Sequence, residues 1–204
     1  PSPSHPPPPT STLNATRRQR QMCIRDSIWE RALIKLINYF VDVCLLRRGP
    51  QDAPASSALL LLVLIINLVI SSIGVSDIIP GAKAVAAAIV DAIIIIVFLQ
   101  LVLKLKNRSD RFIQTATATF GTGALLGMLA LPLQLAVGSE SAGNGSQSIA
   151  IFYLVLLVWV QVVIGHILRH ALNVPFSLGI GLALVYSVLS GVLIQSLFIQ
   201  SSAM

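Results

Sequence analysis

The sequence KLKNRSDR, residues 104–111, separates two long apolar runs and decides how this chain is organised. The runs on either side are residues 84–103 and 112–137. Four cationic side chains fall within this short stretch: Lys104, Lys106, Arg108 and Arg111. Short loops that are rich in Lys and Arg stay on the cytoplasmic side of a membrane. The stretch therefore predicts a cytoplasmic loop between two membrane spans.

The composition favours an integral membrane protein over a soluble one. Of the 204 residues, 55% are hydrophobic and 11% are charged, whereas a soluble domain carries about 25% charged residues. The apolar residues come in runs of about 20, the length that crosses a bilayer core of about 30 Å as a helix. The net charge of +6 lies mostly at the ends of these runs, which indicates lipid headgroups and not nucleic acid as its partner. We therefore expect an all-α polytopic protein.

Five apolar runs predict five transmembrane helices, over residues 58–74, 84–103, 112–137, 149–168 and 176–199. If the helices alternate in direction, seven of the eight cations near their ends share one side: Arg47, Arg48, Lys104, Lys106, Arg108, Arg111 and Arg169. Lys83 is on the other side. This bias predicts a multi-pass protein of the bacterial inner membrane, with its N-terminus in the cytoplasm and its C-terminus outside.

The segment before the first span divides into two parts. Residues 1–27 begin with the Pro-rich run PSPSHPPPP. We expect them to be disordered, dispensable and artefactual, since RRQRQMCIRDS at 17–27 resembles translated sequencing-adapter DNA. The alternative is a disordered basic arm that contacts anionic lipid headgroups. Residues 28–48 predict an amphipathic helix. Its apolar face holds Trp29, Leu33, Leu36, Ile37, Phe40 and Cys44, and its polar face holds Arg31, Lys35, Asn38 and Asp42. Such a helix lies in the headgroup plane, packs beneath a bundle, or does both.

Three short segments and the five-span layout carry a resemblance to a known family. The segments are Arg48-Gly49-Pro50, RFIQT at 111–115 and GHILRH at 165–170. With them the chain resembles the Yip/Yif family of membrane proteins, in its bacterial branch. Eukaryotic members carry the signature Asp-Leu-Tyr-Gly-Pro, of which this chain matches Gly49-Pro50. The resemblance implies a cytoplasmic N-terminal segment followed by five closely spaced helices.

Two polar residues inside predicted spans are candidate functional residues, Asn67 and Asp91. A carboxylate in the hydrocarbon region is costly, so it usually faces the bundle interior and marks an ion or substrate path. The helical rise places Asp91 at a depth similar to that of Ser71 and Ser72 in the antiparallel first span. The sequence thus leaves two possibilities open: a transport site, or a hydrogen-bonded Asp that ties the first two spans together.

His166 and His170 are four residues apart and therefore share a helix face. Two imidazoles at this spacing can ligate a metal or a haem iron. A third ligand is not apparent at that depth, and imidazoles beside Arg169 also suit a helix C-terminus near the headgroups. We expect no cofactor.

Small residues recur at every fourth position in the third and fifth spans. They are Thr115, Thr119, Gly123 and Gly127 in the third, and Gly179, Ala183, Ser187 and Gly191 in the fifth. In lipid, helices associate where small residues let their backbones approach. We therefore predict that these two spans pack directly on each other, unless one strip serves a homodimer.

The sequence contains no catalytic constellation, and we expect a non-enzymatic membrane protein. A role in scaffolding, assembly or organisation of the membrane is the first expectation, with the lipid bilayer and another membrane protein or a second copy as partners. Two alternatives remain open: a small transporter or channel that uses Asp91 and Asn67, and a metal- or haem-binding subunit that uses His166 and His170.

Overall fold

The computed structural model describes residues 33–79, 81–138 and 146–199, and these residues form an all-α protein. Helix α1 covers residues 33–44. The long helices are α2 (Ser57–Val75), α3 (Ala82–Leu105), α4 (Phe112–Gly138), α5 (Ser146–Leu172) and α6 (Phe176–Ile194), and a short π-helix, Gln195–Ile199, extends α6. Two 3₁₀ turns, Pro50–Asp52 and Ser109–Arg111, precede α2 and α4. No residue within the described ranges is in a strand.

The five helices α2 to α6 are long and apolar enough to cross a membrane. This confirms the predicted all-α polytopic architecture with five spans. Each helix begins and ends within a few residues of the predicted bounds, except α6, whose last predicted residues are in the π-helix. The chain is therefore a multi-pass membrane protein.

The N-terminal helix α1 is divided between two compact units, whose boundary falls between Asn38 and Tyr39. In the first unit, residues 33–38 are helical, whereas residues 1–27, predicted to be disordered, and 28–32 lie outside the described residues. In the second unit, Tyr39, Phe40, Val43 and Cys44 are buried. This part of α1 thus packs against the bundle, and the headgroup position of the whole helix stays a prediction.

One end of the bundle collects most of the cations, and we call it the basic end. It contains residues 39–56, the loop between α3 and α4, and the turn between α5 and α6. The Arg111 guanidinium donates from Nη1 to the carbonyl oxygen of His170 at 3.4 Å, and Gln114 Nε2 donates to that of Ala53 at 3.3 Å. These bonds bring the three segments together, as the alternation of cationic loops predicted.

Asparagines end two of the helices at this basic end. Asn107 and Asn173 have φ angles of 53° and 55°, in the left-handed region that Asn tolerates better than most residues. The backbone N–H of Arg108 then bonds the carbonyl of Leu103 at 2.9 Å, and that of Val174 bonds Arg169 at 3.1 Å. Both reversals therefore satisfy carbonyls that the helix end leaves without an intrahelical donor.

Helix α4 has the largest buried share of any span in the described chain, and threonines occupy much of its interior. Thr115, Thr117, Thr119 and Thr122 are almost completely buried. Each hydroxyl donates to the carbonyl four residues earlier, at 2.7–2.8 Å. Because the hydroxyls are satisfied within the helix, α4 can bury polar residues that are small enough for close packing.

The predicted direct packing of the third and fifth spans is wrong. Helix α4 packs mainly on α2 and α5, and α6 packs mainly on α5. A Cβ added at Gly123 would lie 2.9 Å from Asn67 Oδ1 of α2, and one at Gly127 would lie 2.9 Å from a methyl of Ile70. Gly179 lies against the α5 backbone, and Gly191 has no neighbour within 4 Å of that position. Any apolar or small face satisfies a helix in lipid, so the strips did not specify their partners.

Candidate functional site: polar cavities around Asp91

Two neighbouring cavities lie between the described helices, one at mid-depth and one toward the end opposite the basic end. The central cavity has a volume of about 230 Å³ and the distal cavity about 430 Å³. Four side chains line both: Ser71, Asp91, Tyr186 and Ser187. We call these four residues the neck, since the two cavities adjoin there.

Helix α3 carries Asp91 into the neck on a face of small residues. Ala84, Ala87, Ala88 and Ala92 are all at least 95% buried, so the neighbouring helices approach α3 closely around the carboxylate. Ala87 and Ala88 also line the distal cavity. Asp91 itself is half-buried. These small residues therefore let α3 pack closely against its neighbours, and they leave space beside the Asp91 carboxylate.

Two hydroxyl groups of α6 hold the Asp91 carboxylate. Tyr186 donates from its hydroxyl to Asp91 Oδ1 at 2.9 Å, and Ser190 Oγ donates to the same oxygen. Tyr186 and Ser190 are one helical turn apart and both are buried. Hydrogen bonds to a charged acceptor are stronger than those between neutral groups. This pair therefore fixes the position of the carboxylate between α3 and α6.

Only one of the two carboxylate oxygens of Asp91 is hydrogen-bonded. Both donors bond Oδ1, and the residues that the structure describes give Oδ2 no hydrogen bond. Asp91 nevertheless lines both cavities. A carboxylate has room for about four hydrogen bonds at its two oxygens. The arrangement is thus a carboxylate anchored on one side and accessible on the other.

Helix α5 contributes a second polar pair to the central cavity. The Ser187 hydroxyl lies 2.7 Å from Nε2 and 3.0 Å from Oε1 of Gln161, which also lines that cavity. Ser187 is one residue after Tyr186, and it belongs to the small strip predicted for the fifth span. Ala183 and Gly179 of the same strip are buried. One strip therefore serves both helix packing and the lining of the neck.

Asn67 and Ser71 place α2 in the wall of the central cavity. Asn67 lies against Gly123 of α4, and Thr119 of the predicted strip lines the same space. Ser72, in contrast, donates to the carbonyl of Val69 at 2.8 Å. The two predicted intramembrane polar residues, Asn67 and Asp91, thus line one cavity, although no direct hydrogen bond between them is present among the described residues.

The sequence identified Asp91 but not its hydrogen-bond partners. One of the two possibilities was a tie to the first span, where Ser71 and Ser72 have a similar depth. The hydrogen bonds come instead from Tyr186 and Ser190 of α6. The available signal was the spacing of these two hydroxyls, four residues apart on one face. Depth alone could not select α6, because every span passes the middle of the bundle. Gln161 was missed for the same reason.

His166 and His170 lie side by side at the basic end. Their ring centroids are 4.5 Å apart, and His166 Nε2 is 3.1 Å from the carbonyl oxygen of Arg48. A carbonyl can only accept, so Nε2 carries the hydrogen, and this nitrogen is not available to a metal. Among the described residues, no third His, Cys, Asp or Glu joins the pair. His166 therefore acts in this structure as an anchor for the loop after α1.

Comparison with known proteins adds no relative to this geometry: no family model, curated protein or solved structure matches the chain. The resemblance to the Yip/Yif family stays a prediction from the sequence. The cavity around Asp91 must therefore be interpreted from its own chemistry.

Proposed function

We propose that this protein is a small transporter or channel in which a solute passes through the two cavities and the neck beside Asp91. The observation that carries the proposal is the polar connection: Ser71, Asp91, Tyr186 and Ser187 line both the central and the distal cavity. An ionisable group inside a membrane bundle usually marks such a path.

The packing of the bundle supports this proposal over a purely structural role for Asp91. A structural carboxylate would be enclosed by its partners, but Asp91 lines both cavities, and its Oδ2 makes no hydrogen bond with the described residues. The small residues of α4 and α6 do not close that space. Scaffolding, our first expectation, gains no comparable observation from the described residues and stays a prediction.

A flux assay on proteoliposomes tests the proposal. Pulses of protons, Na⁺, K⁺ and small ammonium ions are applied to supported proteoliposomes, and the transient current is recorded. We expect a current that Asp91→Asn abolishes. Asp77→Asn is the matched control, because it removes the same charge from an exposed turn outside both cavities. Currents equal to those of protein-free liposomes, or unchanged in Asp91→Asn, would contradict the proposal.

We also propose that the basic end faces the cytoplasm and that the protein resides in the bacterial inner membrane. The support is the concentration of cations at that end, because short loops rich in Lys and Arg stay in the cytoplasm during membrane insertion. A cysteine introduced at Ser109 should resist a membrane-impermeant thiol reagent in intact cells, and one at Ser141 should react. The opposite labelling pattern would reverse the orientation.

A further inference from the structure

The charge of the cavity lining determines which class of solute fits. Among the described residues, Asp91 is the only Asp, Glu, Lys, Arg or His that lines either cavity. The remaining polar lining consists of hydroxyl groups and amides. A carboxyl group in a membrane interior pairs favourably with a cation, whereas this lining offers an anion no cationic partner. The lining therefore selects a cation.

The volume of the distal cavity separates an organic cation from a bare ion. Its volume is about 430 Å³, whereas one water molecule occupies about 30 Å³. Pockets for small organic molecules begin at about 300 Å³. The distal cavity therefore accommodates several carbon atoms next to the carboxylate, which a proton or an alkali metal ion would leave unused.

The walls of the distal cavity also suit an organic cation. Apolar side chains form most of it, including Ile70, Ala87, Ala88 and Leu131, and polar groups cluster near Asp91. Tyr153 and Tyr186 add two aromatic rings to the lining. Aromatic rings attract ammonium groups through their negative faces. A mostly apolar wall with one charged anchor is the usual construction of a small-molecule site.

We propose that the distal cavity binds a small organic ammonium ion, whose charged group bonds Asp91 Oδ2 and whose carbon chain lies against the apolar wall of α2, α3 and α4. This inference rests on the proposed function and names its substrate class. Tyr186 and Ser190 hold the carboxylate, and the ammonium hydrogens complete its bonding at the free oxygen. The neck then connects the bound ion to the central cavity.

Equilibrium dialysis with isotopically labelled n-propylammonium tests the site in the full chain in lipid nanodiscs. We expect saturable binding that 1-propanol, propionate and Na⁺ do not displace. Asp91→Asn should weaken binding at least about 10-fold, since a charge-assisted bond is lost. Asp77→Asn should bind like the unchanged protein. Binding that does not saturate, or that Asp91→Asn leaves unchanged, would overturn the proposal.

A second variant tests the cavity without altering the carboxylate. Gly191 lines the distal cavity and has no atom within 4 Å of an added Cβ, so Gly191→Leu can narrow the space without a clash at the backbone. We expect it to weaken propylammonium binding several-fold and to leave the fold intact by circular dichroism and gel filtration. Unchanged binding in a folded Gly191→Leu protein would argue against the distal cavity as the site.

The two proposals fail in distinguishable ways. An Asp91-dependent current of protons or Na⁺ without propylammonium binding would preserve the transport function and overturn the ammonium site. Asp91-dependent propylammonium binding without any current would preserve the site and overturn transport. Currents carried by propylammonium itself, lost in Asp91→Asn, would support both.

Discussion

The basic end and the distal half of the bundle use polar groups in opposite ways. At the basic end, side chains bind the backbone of residues 39–53: Trp159 of α5 donates to the carbonyl of Cys44 at 3.2 Å, and Tyr39 of α1 donates to that of Gly49 at 3.2 Å. In the distal half, the side chains of Asp91, Tyr186 and Ser190 bond one another beside a cavity. The basic end is covered by residues 39–53, whereas the distal half contains an open cavity.

This difference follows from what each region must satisfy. A non-helical segment near the membrane exposes N–H and C=O groups, and each of them is costly without a partner. The spans supply the partners for residues 39–53, so the segment is held closely. The described residues that line the distal cavity all belong to helices, whose backbone groups are bonded within the helix. Gly121 shows the close packing, because it lies against Phe40 of α1. Gly191 shows the open space, because it lines the distal cavity and has no neighbour within 4 Å of an added Cβ.

The two glycines of α6 provide the sharpest test of this contrast, with the largest expected effect. A methyl group at Gly179 would overlap the carbonyl oxygen of Gly165, and backbone cannot move aside as a side chain can. We expect Gly179→Ala to lower the free energy of unfolding by about 3 kcal/mol, measured by steric trapping in lipid bicelles.

Gly191→Ala is the matched control, because it makes the same change on the same helix at a position without neighbours. We expect it to change the free energy of unfolding by less than about 0.5 kcal/mol. Equal effects of the two substitutions would mean that the contrast between closed and open regions of α6 does not exist.

The reactivity of Cys44 reports how tightly the basic end is closed. Burial raises the pKa of the Cys44 thiol to about 11, from an ordinary value of 9.0. A thiol reacts as its thiolate, and two units lower the thiolate fraction about 100-fold near neutral pH. The sequence has one other cysteine, Cys23. In a Cys23→Ser protein, alkylation of Cys44 should therefore be slow at pH 8 and accelerate as the pH rises toward 11.

An exposed cysteine at the same end serves as the reference for that rate. Ser109 is exposed, so Ser109→Cys in a protein that lacks Cys23 and Cys44 should react about 100-fold faster than Cys44 at pH 8. Similar rates for the two thiols would show that residues 39–44 detach from the bundle.

A substitution at Gly121, which contacts Phe40, should destabilise the protein less than the substitution at Gly179, which contacts the α5 backbone. A methyl group at Gly121 would overlap the Phe40 ring, which can shift where a carbonyl cannot. We expect Gly121→Ala to cost about 2 kcal/mol of stability. Phe40→Leu, which shortens the side chain, should recover part of that cost in the double variant, and strict additivity of the two changes would contradict the contact.

The sequence predicted the spans well because their ends are chemically abrupt. The second span, for example, was predicted at residues 84–103 and is helical over Ala82–Leu105, since Gly81 and the basic loop interrupt the apolar run. Packing order was not predictable in this way. The faces that meet lipid and the faces that meet other helices are both apolar, so periodicity does not distinguish them.

The candidate site was predictable only in part, for a related reason. Asp91 stands out because a carboxylate is rare in a span, but Tyr186, Ser190 and Gln161 are ordinary in composition. Their importance comes from which helices are neighbours, and that order depends on close approaches such as Gly179 to the Gly165 carbonyl. His166 shows the converse: its spacing to His170 was compatible with a metal site, one of the alternatives, whereas its Nε2 bonds the Arg48 carbonyl.

The hydrogen bond of Trp159 gives the smallest expected effect and tests whether the spans hold the basic end by its backbone. Trp159→Phe keeps an aromatic ring and removes the Nε1 donor to the Cys44 carbonyl. Loss of one such bond costs about 1 kcal/mol. The loss of stability should be confined to the residues around Cys44, because the other contacts of residues 39–53 persist. Hydrogen exchange should therefore accelerate about 5-fold over residues 41–48 and stay unchanged in α6. Phe152→Leu, an exposed aromatic residue on the same helix, should leave exchange in both regions unchanged. If Trp159→Phe behaves like Phe152→Leu, packing and not this hydrogen bond holds the segment in place.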